Sequence, residues 1–196
     1  MIKVGLTGGI GSGKTYVSKI IESLGYTVFN SDDEAKKIMN APHVVAQVKE
    51  VFGENAYIDS SLNRKYIADL IFSDTNLKEK LNSIVHPAVR QAFVDWSEKQ
   101  KNDIVFNEAA ILFETGAYKQ FDYTILVTAD EETRIQRVIK RDDTTHAEVK
   151  ARINNQWTDE QKENLASFII VNDYKKDVLA QIKTIIQQIK KENKLN

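Results

Sequence analysis

Eight residues near the start, Gly8-Gly9-Ile10-Gly11-Ser12-Gly13-Lys14-Thr15, narrow the possible folds more than any other part of the chain. They match G-x-x-x-x-G-K-[ST] in full. Five of the chain's 8 glycines, Gly5, Gly8, Gly9, Gly11 and Gly13, fall within this opening segment. Without Cβ atoms, such a loop can turn successive backbone N–H groups inward around a phosphate. The apolar run "IKVGLT" before it reads as a buried strand. Behind it, Val17, Ile20, Ile21 and Leu24 lie at helical spacing, and Gly25 stops the helix. The loop thus leads from a strand into a helix whose N-terminus carries partial positive charge. The motif assigns Lys14 to the β- and γ-phosphates of a nucleoside triphosphate and the Thr15 hydroxyl to Mg²⁺. It does not say what happens next. A phosphotransferase, a hydrolytic switch or motor, and a nucleotide sensor all remain open.

Four further segments read as strands: "YTVFN", "NDIVFN", "DYTILVTA" and "ASFIIVN". Strands alternating with helices imply an α/β fold, a mostly parallel five-stranded sheet with helices on both faces. The second and third strands are separated by the stretch from Asp33 to Asn102, too long for a structureless connection. Its apolar residues fall on helical faces: Tyr66, Ile67, Leu70 and Ile71; Leu77, Leu81, Ile84 and Val85; Val89, Phe93 and Trp96. We therefore expect a core formed by residues 1–32 and 103–196, with a helical insert over 33–102. The stripe Leu179, Ile182, Ile185, Ile186 and Ile189 marks a last helix packed on the core.

Composition excludes several classes. Net charge is −1, without the basic surplus of an electrostatic nucleic-acid binder. No cysteine is present, so there is neither a disulfide framework nor a thiolate metal site. Three histidines, His43, His86 and His146, are too few for a histidine-rich metal centre. No apolar run approaches the ~20 residues of a membrane span, and "IKVGLT" is too short for a secretory signal. The expectation is a cytoplasmic protein with no protein, membrane or nucleic-acid partner. A guanine-reading N-K-x-D is missing, since "NKLN" lacks the aspartate.

Candidate chemistry gathers at the strand ends, where open α/β sheets bind ligands. The second strand runs into "NSDDEAKKIM". There Asp32 could accept a hydrogen bond from an attacking hydroxyl and aim it, which an alcohol acceptor needs and a phosphate acceptor does not. Ser31-Asp32-Asp33-Glu34 also reads as a capping box, and the two roles are compatible if Ser31 caps and Asp32 points into the crevice. A helix N-terminus there should depress the Asp32 pKa. The third strand ends in Glu108, placed to meet Mg²⁺ or its waters or simply to close the strand. Glu114 follows and could line an acceptor pocket. Arg134, Arg137 and Arg141 share a face on adjacent turns, and Thr145-His146-Ala147-Glu148 is a capping box that starts a new helix. A helix–turn–helix with arginines at its bend reads as a closing lid, or as a solvated face.

Taken together, these segments resemble the dephospho-coenzyme A kinase family nearly end to end. "GLTGGIGSGKT" is similar to the family's phosphate loop, "NSDDEAKKI" to its Asp-x-Asp segment, and "IVHPAVR" to its His-Pro segment. "EAAILFETGAY" resembles its acidic–apolar–Leu-x-Glu stretch. "RIQRVIKRDD" and "RINNQ" resemble its lid, and "FIIVND" its Ile-x-Asn strand near the adenine pocket. Asn30 stands where the family often has the first aspartate, and Glu108-Ala109-Ala110 replaces a commoner Val-Pro pattern. The resemblance implies a P-loop kinase core, an acceptor domain over 33–102 and a lid over 138–158. It implies transfer of the ATP γ-phosphoryl group to the ribose 3′-hydroxyl of dephospho-CoA. The implied ATP-binding set is Gly8, Gly9, Gly11, Ser12, Gly13, Lys14, Thr15, Tyr16 and Asn172. Mg²⁺ falls to Thr15 and Glu108. Lys14, Asp32, Arg137 and Arg141 become catalytic, and Asp32, His86, Pro87 and Glu114 meet the acceptor. Taken alone, His86-Pro87 reads as a turn between two helices, because proline disfavours helix in the residue before it.

Overall fold

The computed structural model describes residues 1–195; Asn196, the last residue of the expected core segment, lies outside the described residues. The chain opens with β1 (Ile2–Thr7), α1 (Lys14–Ser23) and β2 (Thr27–Asn30). Then come α2 (Ser31–Ile38), α3 (Pro42–Phe52), β3 (Tyr57–Ile58), β4 (Ser61–Leu62), α4 (Arg64–Ser73) and α5 (Thr75–Ser97). It continues through β5 (Ile104–Glu108), β6 (Tyr123–Thr128), α6 (Glu131–Asp142) and α7 (His146–Asn154). It closes with α8 (Asp159–Glu163), β7 (Phe168–Val171) and α9 (Val178–Glu192). Two compact units result: Met1–Phe29 with Gln100–Asn196, and Asn30–Lys99.

In the first unit the five strands lie in the order β2-β5-β1-β6-β7. The pairs β1–β5, β1–β6 and β6–β7 are parallel. All five strands are those read from the sequence. Every residue of β5 is buried, as a central parallel strand requires. Alternate residues Ile2, Val4 and Leu6 of β1, Ile104 and Phe106 of β5, and Ile125 and Val127 of β6 point to one core. Val17 and Ile21 of α1 and Ile182, Ile185, Ile186 and Ile189 of α9 close it. Of the expected α9 stripe, Ile182, Ile185, Ile186 and Ile189 pack on this core; Leu179 is exposed instead, and its neighbour Val178 takes the core position. From β1 the chain runs out to the edge strand β2, returns to β5 beside β1, and then crosses to β6 on the other side of β1, so the winding reverses there. The crevice beyond the carboxyl ends of β1 and β5 is the place where such sheets bind ligands. The register Leu6↔Glu108 sets Glu108 beside the first residues of the glycine loop.

The second unit has its own core of Met39, Val44, Val48, Phe52, Tyr57 and Ile67. It is mostly helical, with two features beyond the sequence reading. The segment Pro42–Phe52 forms a helix, and β3 and β4 form a small antiparallel hairpin. Its turn residues Asp59 and Ser60 take φ values of 46° and 65°. The third feature is a correction: α5 runs unbroken through His86 and Pro87 instead of turning there. Proline removes one helical hydrogen bond and costs ~3 kcal/mol in a helix interior. Leu77, Leu81, Ile84, Val85 and Ala88 all pack from this one helix onto the second core. Each of these side chains is partly buried, and together they contribute a share of the ~1.5–3 kcal/mol that full burial of each large one would give, enough to offset that cost.

Among the described residues no helix is long and apolar enough to cross a membrane.

Candidate functional site

The glycine loop is shaped by two residues with positive φ, Gly11 at 78° and Gly13 at 95°. Space excludes side chains there as well. A Cβ on Gly11 would lie 2.4 Å from the Arg134 carbonyl oxygen, and one on Gly13 would lie 2.2 Å from Asn172 Nδ2. Gly13 is the N-cap of α1, which starts without a side-chain cap and carries no acid in its first turn. Such an end suits an external anion. Lys14 folds back across the loop, its Nζ donating to the Gly8 carbonyl at 2.8 Å. The Ser12 hydroxyl is buried without a hydrogen-bond partner.

Thr15 and Glu108, distant in sequence, meet at the end of β5. The Thr15 hydroxyl donates to Glu108 Oε1 at 3.0 Å, and the Ser18 hydroxyl donates to Glu108 Oε2 at 2.7 Å. Glu108 is buried, so these hydroxyls hold its charge in place. A hydroxyl and a carboxylate side by side are hard oxygen donors. They fit a Mg²⁺ ion, which takes few protein ligands and fills its sphere with water and phosphate oxygens.

The three arginines of α6 separate into three roles. Arg134 is buried; its Nε donates to the Ile10 carbonyl at 3.0 Å and its Nη1 pairs with Asp159 at 3.0 Å. Gln156 Oε1 accepts the Ile10 N–H at 2.9 Å, so both backbone polar groups of Ile10 are held. Arg137 lies over the other half of the loop. Its Nη1 reaches the carbonyls of Gly11 and Ser12 at 3.3 Å each, and its Nη2 donates to the Asn172 carbonyl at 2.8 Å. Asn172 Nδ2 in turn donates to the Ser12 carbonyl at 2.9 Å. Arg141, one turn on, forks onto its neighbour Asp142 at 2.6 and 2.9 Å. That pairing raises the Arg141 pKa and lowers that of Asp142. Thr145 and Glu148 form the expected capping box of α7.

Tyr16 and Asn172 line one cavity of about 560 Å³, with Gly13, Arg137, Tyr174 and Val178. Tyr174 and Gln156 were missed by the sequence reading. Tyr174 had one signal, an aromatic residue stranded in the polar loop "NDYKKD".

In the second unit, Asp32 is exposed in the first turn of α2. The expected cap moves by one residue: Asn30, not Ser31, caps α2, its Oδ1 accepting the Asp33 N–H at 2.9 Å. Asparagine and aspartate cap equally well, which explains why Asn30 can replace an aspartate here. His86 lies on α5 next to Val85, which lines a cavity of about 480 Å³ with Lys36, Met39, Arg64, Ile67 and Leu81. Burial and, secondarily, the charge of Arg90 lower the His86 pKa, favouring a neutral imidazole. In the first unit, Glu114 faces the fully buried Lys162 at 3.1 Å. The pair lacks hydrogen-bond geometry, which leaves Lys162 Nζ and both Glu114 oxygens without hydrogen-bond partners.

Comparison with known proteins bears on this geometry. The family model for dephospho-CoA kinase matches residues 2–177. A dephospho-CoA kinase from Bacteroides fragilis is 37% identical, covering 94% of this chain and 91% of the relative. One from Salinibacter ruber is 40% identical over 88% of this chain and 89% of its own. The solved dephospho-CoA kinase from Campylobacter jejuni is 26% identical, with a TM-score of 0.70 and coverage of 97% of this chain and 98% of its own. A shikimate kinase from Acinetobacter baumannii shares the fold alone, with a TM-score of 0.52 at 16% identity over 100% of this chain and 96% of its own. A P-loop, a Thr15–Glu108 pair, an arginine-bearing helix and a match along nearly the whole length converge, and the chain belongs to the dephospho-CoA kinase family.

Proposed function

We propose that this protein transfers the γ-phosphoryl group of ATP to the ribose 3′-hydroxyl of dephospho-CoA, giving CoA and ADP. The observation that carries the reading is the family match over residues 2–177, which includes both the phosphate loop and the whole inserted unit.

In this reading the backbone N–H groups of Gly11 to Thr15 and the Lys14 ammonium hold the β- and γ-phosphates. Thr15 and Glu108 would hold Mg²⁺, which supplies charge neutralisation between the phosphates. The 3′-hydroxyl oxygen attacks the γ-phosphorus in line. The bond from that phosphorus to the β,γ-bridging oxygen breaks, and ADP leaves. Asp32 accepts the hydroxyl hydrogen bond, aims the oxygen, and takes the proton late, as the bond to phosphorus forms. Arg137 spans the loop carbonyls, and Arg141 exchanges Asp142 for phosphate oxygens as the lid, residues 138–158, closes. The cavity at Tyr16 and Asn172 takes the adenine end of ATP. The insert, residues 33–102, takes the acceptor with His86 and Pro87, and Glu114 contributes from the stretch after β5.

The test is ADP release from ATP with Mg²⁺ and each acceptor in turn. Dephospho-CoA should stimulate it strongly, whereas AMP and shikimate should not. Stimulation by AMP or shikimate in place of dephospho-CoA would overturn the assignment. ATP binding without acceptor-dependent ADP would reduce the protein to a nucleotide sensor.

A further inference from the structure

Tyr174 is 77% exposed, yet its ring is held in one place. Its φ of 63° lies in the left-handed region, which a tyrosine seldom occupies. The Arg137 guanidinium sits over the ring, 4.3 Å from its centre. Arg137 Nε donates to the Tyr174 hydroxyl at 2.8 Å. The same guanidinium grips the Gly11, Ser12 and Asn172 carbonyls, so one side chain ties the ring to the phosphate loop. Asp173 Oδ1 accepts the N–H groups of Lys175 and Lys176 at 3.0 and 3.1 Å, which closes the turn that carries the tyrosine. The ring lines the cavity that also holds Tyr16 and Asn172.

We propose that Tyr174 is a base-recognition residue, whose ring stacks on the purine of ATP and selects purine over pyrimidine triphosphates. This rests on the reading of that cavity as the adenine site. Base–aromatic stacking is a strong, hydrogen-bond-independent contact, and a purine offers a larger face to a ring than a pyrimidine does.

The experiment compares Tyr174→Gly, Tyr174→Phe and Asn172→Ala for KM with ATP and with CTP, alongside thermal midpoints. Glycine suits the local φ, which offsets the lost Arg137 contacts, so Tyr174→Gly should leave the midpoint close to the parent's. It should raise the KM for ATP about tenfold and shrink the preference for ATP over CTP. Tyr174→Phe keeps the ring and should stay within about threefold of the parent. If Tyr174→Gly leaves both KM values unchanged while Asn172→Ala raises them, the Tyr174 proposal fails and the adenine site stands. If neither variant changes KM, the adenine-site reading fails with it. A rise in Tyr174→Phe as large as in Tyr174→Gly would assign the effect to the hydroxyl and overturn the stacking role.

Discussion

Lys14 and Asp32 illustrate two kinds of legibility at the scale of single residues. Lys14 belongs to a contiguous motif, and its position over the loop follows from local chain geometry. Replacing it with alanine should reduce transfer by roughly 10²–10³-fold, the cost of removing one preorganised donor to developing charge; retained turnover would remove the loop from the mechanism. Asp32 owes its place to the first turn of α2, where Asn30 already supplies the cap. Asp32→Asn should therefore leave helix and ATP affinity in place while lowering kcat by about 10²–10⁴-fold. Steady-state kinetics with dephospho-CoA decides this, and normal turnover would leave Asp32 as a helix-end acid. Arg134 was the harder residue to read. Spacing placed it beside Arg137 and Arg141, but its work lies in grasping the Ile10 carbonyl, 124 positions away. No local pattern encodes such a contact.

Among the elements, the strands of the sheet were legible because each is a short apolar run between polar turns. The hairpin Tyr57–Leu62 was not: its strands are two residues each, and Asp59-Ser60 turns with positive φ without the usual glycine. The continuity of α5 was hidden because the local rule against Pro87 is overruled by packing along the whole helix. Pro87→Ala should accordingly stabilise the protein by about 1–3 kcal/mol, read as a raised thermal midpoint. If His86-Pro87 shapes the acceptor site, the same variant raises the KM for dephospho-CoA. The start of α7 offers a pH test. Glu148 accepts from the Thr144 hydroxyl first, then from the Thr145 N–H and hydroxyl, and its pKa falls from 4.5 to about 2. A carboxyl depressed on folding stabilises fully above its unfolded pKa and loses that effect as pH falls through the folded value. The α7 cap should thus hold at neutral pH and weaken as acidity rises from about 4.5 toward 2. Carboxyl carbon NMR of Glu148 should titrate near the lower value, and Glu148→Ala should abolish the acid transition in α7 signals.

At the scale of the molecule, the first unit is joined by contacts that sequence patterns do not express. The clearest is Glu114–Lys162, which ties α8 to the stretch after β5. Lys162 is wholly buried, a position lysine almost never takes unless paired. The 3.1 Å separation is its compensation, since neither group gains a hydrogen bond from the other. Removing one partner strands the other charge in the interior, whereas replacing both with apolar groups removes the desolvation cost along with the attraction. Lys162→Met alone should cost ~3–5 kcal/mol, with Glu114→Leu alone of the same sign and the double variant recovering most of the loss. Denaturant unfolding of the four proteins measures the coupling directly. Additive losses would mean that the two side chains act separately. A coupled cycle would instead make the pair a clamp that fixes α8 to the stretch after β5.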